Sequence, residues 1–119
     1  MISLKLTRLE FQVMVQFLRW HTEYQNQVPL VHQSTNMIIL MDYLATWNTL
    51  RLLNWSCRQP DKEYRLGLKR VIALALHQEM LRVKLTVHQQ ILLGKLDQAI
   101  VDYRDPFAEP HVIGELIDK

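Results

Sequence analysis

Ile2-Ser3-Leu4-Lys5-Leu6-Thr7 alternates apolar and polar side chains over six residues, the period of a strand that buries one face. Thr7 is followed three residues later by Glu10, which makes a Thr-x-x-Glu capping box. In such a box the hydroxyl takes up one orphan amide of the first helical turn and the carboxylate takes up the amide of the cap itself. Leu6 and Phe11 stand one residue before and four after that cap, the positions of a hydrophobic staple. The strand is therefore predicted to feed straight into a helix from about Arg8 to about Gln25.

The same pattern recurs at Leu81-Arg82-Val83-Lys84-Leu85-Thr86, where Thr86 and Gln89 repeat the box and open a helix over Val87 to about Tyr103. The staple is not repeated, because Gln90 stands where Phe11 does in the first copy. Pairing of residues 2–6 with 81–85 is the expected two-stranded β element. A ribbon of two strands is marginal in water unless helices lie beneath it or another subunit pairs with it. Continuous helix through 81–85 is the competing reading, since Leu, Arg and Lys are good helix formers.

Between the two copies the pattern is helical. Val28-Pro29 breaks the first helix, and Ser34, Thr35 or Asn36 caps a second one that carries the apolar run from Met37 to about Asn54. Pro60, with Asp61 and Glu63 behind it, suits the first turn of a third helix ending near Glu79 or Met80. The fold class expected is mainly α, a four-helix bundle-like domain with a small β element. Residues 1–105 form one domain, and residues 106–119, with Pro106, Pro110 and Gly114, form an irregular acidic tail.

Composition narrows the function classes. The chain has 119 residues, 49% of them hydrophobic, enough for one core of ordinary size. Its single cysteine, Cys57, allows no internal disulfide and reads as a small packing residue. Lys5, Arg8 and Glu10 interrupt any apolar signal sequence, so a cytoplasmic location is expected. Met37 to Trp55 approaches the length of a membrane span, but Asp42, Asn48, Arg51 and Asn54 interrupt it. A charge near the bilayer centre costs about 2.5–3.5 kcal/mol, so the stretch reads as a core helix and no membrane partner is expected.

The chemistry-bearing residues do not converge in the sequence. Gly67, Gly94 and Gly114 stand too far apart for a phosphate-cradling loop, and the five histidines make no metal-binding spacing with one another or with Cys57. No catalytic residue, cofactor or metal is expected, and the protein is not read as an enzyme. Asp42 lies in an apolar stretch, and burial there would require a partner such as Arg51 or His21; exposure on a polar edge is the alternative.

Charge is uneven along the chain. From Arg51 to Lys84 eight basic residues face three acidic ones, and from Asp102 onward five acidic residues face two basic ones. Arg58, Lys62, Arg65 and Lys69, with Arg70 nearby, would share one face of the expected third helix. Such a stripe suits an acidic protein partner, the acidic tail of its own or a neighbouring subunit, or nucleic-acid phosphates. A strand followed by two helices also resembles the ribbon-helix-helix class of DNA-binding proteins. That resemblance implies a dimer whose paired strands read bases through Ser3, Lys5 and Thr7, and it covers only the first half of the chain. The first helix is longer than that class uses, and two further helices follow. The first two helices carry more apolar surface than a four-helix monomer needs, so the function expected is protein–protein interaction or assembly as a homo-oligomer, a dimer favoured. A nucleic-acid-binding or regulatory protein is the alternative.

Overall fold

The computed structural model describes residues 1–23 and 27–103; the expected acidic tail lies outside the described residues. The chain is mainly helical with a two-stranded antiparallel sheet. Strand β1 (Ile2–Thr7) leads into helix α1 (Arg8–Thr22), and a short 3-10 turn (Leu30–His32) precedes α2 (Thr35–Ala45). Helix α3 (Thr49–Ser56), strand β2 (Glu63–Leu68), α4 (Arg70–Leu81) and α5 (Val87–Asp102) complete the order. Among the described residues there are thus five α-helices where four principal ones were expected.

The strand-to-helix start is as the sequence reads. Thr7 caps α1, its Oγ1 accepting from Glu10 N at 3.2 Å while Glu10 Oε1 accepts from Thr7 N at 2.9 Å. Leu6 and Phe11 are both buried. Thr86 closes the same box with Gln89 at the start of α5.

The strand that pairs with β1 corrects the sequence reading. β2 replaces the first half of the expected third helix and lies antiparallel to β1, with Ile2 opposite Leu68, Lys5 opposite Arg65 and Thr7 opposite Glu63. Tyr64, Leu66 and Leu68 alternate with Glu63, Arg65 and Gly67, and the alternation prevails over the helix-start signal of Pro60 because β1 offers a ladder and an apolar underside. Residues 81–85 form no strand: Leu81 ends α4 with its side chain exposed, and Val83 and Leu85 pack partly against the core as a connection.

The long second helix is also divided. Thr46 ends α2, and Asn48 Oδ1 accepts from Arg51 N at 2.9 Å to cap α3, a better use of an Asn than a mid-helix position. The break turns Trp47 inward. Phe11 then sits between two tryptophans, edge-on to Trp47 with ring centres 4.8 Å apart and stacked on Trp55 at 4.2 Å.

One core results, with Ile2, Leu4 and Leu6 of β1, Phe17 and Leu18 of α1, Leu40 of α2, Leu76 and Met80 of α4, and Leu92 and Leu96 of α5 all buried. Burial of a side chain of this size stabilises the fold by about 1.5–3 kcal/mol. No helix among the described residues is long and apolar enough to cross a membrane.

Candidate functional site

The basic residues singled out from the sequence do not share a helix face, since residues 60–69 are a turn and a strand. Arg58 follows α3 and lies over Trp55 and Tyr64, its guanidinium carbon 4.2 Å and 4.7 Å from the ring centres. Lys62 lies in the turn, Arg65 on the outward face of β2, Lys69 at the N-cap of α4 and Arg70 at its first position. Arg65 stands directly opposite Lys5, both exposed on the solvent side of the ribbon. Like charges so placed repel.

Beside them Lys95 of α5 reaches across to the ribbon. Its Nζ donates to the Lys5 carbonyl at 3.1 Å, to Glu10 Oε1 at 2.6 Å and to Glu63 Oε2. Burial disfavours the ammonium, but the two carboxylates outweigh it and raise the Lys95 pKa. Glu10 moves the other way: burial raises its pKa, and the bonds from Lys95 and Thr7 bring it below the ordinary carboxylate value.

A second polar cluster was not legible as a site. Glu79 is 4% exposed, on the inward stripe of α4 with Leu76 and Met80. His21 Nε2 donates to Glu79 Oε1 at 2.9 Å, Asn36 Nδ2 donates to Oε2 at 3.1 Å, and Arg82 Nη1 donates to Oε2 at 3.3 Å. His21 in turn stacks on Phe17, with ring centres 5.1 Å apart. The signal available in the sequence was a charged residue at the helical spacing of an apolar stripe, but the expected end of the helix at that point hid it. A cavity of about 370 Å³ beside this cluster is lined by His21, His32, Ser34, Met37, Glu79 and Arg82. Ser, His and Glu are the residue types of a nucleophilic relay. Here Ser34 Oγ instead caps α2 by accepting from Met37 N at 3.2 Å, and among the described residues no hydrogen bond joins it to His21.

Two further expectations resolve by position. Asp42 is exposed and lines a cavity of about 470 Å³ with Arg51 and Lys69 at its polar rim and Ile39, Val71 and Ile72 among its apolar walls. Cys57 does not pack inside: it is exposed at the C-cap of α3. Among the described residues no three His, Cys, Asp or Glu side chains gather as metal ligands would.

Among the described residues six exposed large apolar side chains lie on α4 and α5. Val71, Leu74 and Leu81 mark the outer face of α4, and Val87, Ile91 and Val101 that of α5, each 44–69% exposed. By contrast α1 exposes Leu9 and Trp20, and α3 exposes Leu50 and Leu53. The two stripes are neighbours: His77 of α4 donates from Nε2 to Asp97 Oδ1 of α5 at 3.1 Å along the seam between them. Against protein-family models, curated proteins and solved structures, nothing matches this chain.

Proposed function

We propose that this is a protein–protein interaction or assembly module without catalytic activity of its own, acting as a homo-oligomer, a dimer in the simplest case. The observation that carries this reading is the six-residue apolar face of α4 and α5. Contiguous exposed apolar surface is costly to leave in water and marks interaction sites. A two-helix face also suits its own copy, because two such pairs laid together make a four-helix bundle across the interface, with ridges of one pair in the grooves of the other. Sedimentation velocity over a wide concentration range tests the reading. Dimer formation is expected, with Leu74→Glu plus Ile91→Glu returning a folded monomer. A wild-type protein that stays monomeric throughout would remove it.

One observation favours a second reading, nucleic-acid binding by the ribbon. Lys5 and Arg65 face each other, and among the described residues no ion pair joins either of them to a carboxylate; polyanion phosphates would relieve that repulsion. Fluorescence anisotropy with a random duplex of 20 base pairs at low and moderate salt discriminates. Salt-sensitive binding lost in Lys5→Gln plus Arg65→Gln supports the ribbon, and absence of binding at low salt excludes it.

A further inference from the structure

We infer that α5 is the crossing element of the dimer, two copies of this helix meeting on a two-fold axis that passes at Gly94. The inference rests on the α4–α5 docking face and adds where the second copy sits and which residue admits it.

Gly94 is midway along α5, where glycine is among the least favourable residues after proline. Nothing among the described residues asks for it. No glycine among the described residues has a positive φ, so an alanine would suit the backbone equally well. A Cβ built at Gly94 would meet no atom within 4 Å, and the position is open to solvent. A glycine the fold does not use, at the centre of an exposed apolar stripe, is accounted for by a second backbone lying against it. Helix axes ordinarily pack 8–10 Å apart according to the side chains between them, and absence of a side chain at the crossing allows the closest approach.

The stripe around Gly94 is also nearly its own mirror. An isologous antiparallel crossing places position 94+n of one copy against 94−n of the other. Val87 and Val101 stand seven residues to either side of Gly94, so each faces the other's copy twice over. Gln90 and Gln98, four to either side, meet in the same way. Ile91, three residues before Gly94, falls against Asp97 of the other copy, the one unlike pair of the stripe. Positions 87, 90, 91, 94, 98 and 101 carry no charge. Of the charged neighbours Lys95 reaches to the ribbon and Asp97 to His77, while Asp102 stays beside the stripe, accepting from Gln98 Nε2 at 2.9 Å. One helix of about 24 Å is short for a stable interface of about 800 Å² per partner, and Val71, Leu74 and Leu81 of α4 extend it on one flank.

The experiment sets the monomer against the dimer. Gly94→Ala should raise the melting temperature of the dilute monomer by about 3–6 °C, because alanine is the better helix former. The same change should weaken dimerisation about tenfold or more in sedimentation velocity, and Gly94→Leu should abolish it. In a Cys57→Ser background, Gln90→Cys plus Gln98→Cys should oxidise to a covalent dimer, whereas Gln12→Cys on α1 should not. A dimer that survives Gly94→Leu with unchanged affinity, or that forms no crosslink in Gln90→Cys plus Gln98→Cys, overturns the crossing at Gly94. If Leu74→Glu plus Ile91→Glu still dissolves that dimer, the docking face stands without it. A monomeric wild type overturns both.

Discussion

At the scale of single residues, a carboxylate as buried as Glu79 is tolerated because donors from three parts of the chain converge on it: His21 from α1, Asn36 from α2 and Arg82 from the end of α4. Burial alone would raise its pKa, but the hydrogen bonds from His21 and Asn36 and the charge of Arg82 outweigh burial and hold it below the ordinary value. Glu10 is lowered in the same sense. A carboxylate with a depressed folded pKa contributes stability that is fully present above its unfolded value of about 4.3, and that contribution is lost as pH falls through the folded value. Urea denaturation should therefore show a stability loss below about pH 4. Glu79→Gln should flatten part of that loss and lower stability at pH 7 by about 1–3 kcal/mol. An unchanged acid limb in the variant would place the loss at other groups. Thr7→Ala removes the hydroxyl of the first capping box and should cost about 1 kcal/mol in the same measurement.

At the scale of elements, the ribbon holds the least comfortable pair in the fold. Lys5 and Arg65 are directly opposed on its outer face, while Lys95 is held by two carboxylates nearby. Lys5→Thr should raise stability by about 0.2–1 kcal/mol, read as a higher urea midpoint, since it removes a like-charge pair and keeps a good strand former. A lower midpoint would mean that the lysine makes a favourable interaction that outweighs the repulsion. The sequence made the first strand legible, because alternation and a capping box there agree. It misplaced the second because two short stretches, 63–68 and 81–85, both alternate. Choosing between them requires knowing which one passes beside β1.

At the scale of the whole molecule, α4 and α5 cover the core with their inner faces and leave six large apolar side chains outside. Thermal stability should accordingly rise with protein concentration, since association with the native state only shifts the unfolding equilibrium by mass action. A melting temperature that is constant over a hundredfold concentration range would leave the surface without a partner in its own kind.

What the sequence by itself determined is local: both capping boxes, the alternation of β1 and the mainly helical class, each set by neighbours within a turn or two of the chain. The tertiary structure decided everything that depends on distant neighbours. Ladder partners, the break at Trp47 that lodges Phe11 between two tryptophans, the burial of Glu79 and the joining of two stripes across the His77–Asp97 seam belong to that set. The physical reason is that a side chain's periodicity fixes which face of its own element it occupies. Which other element covers that face is settled only when all the faces compete for one core.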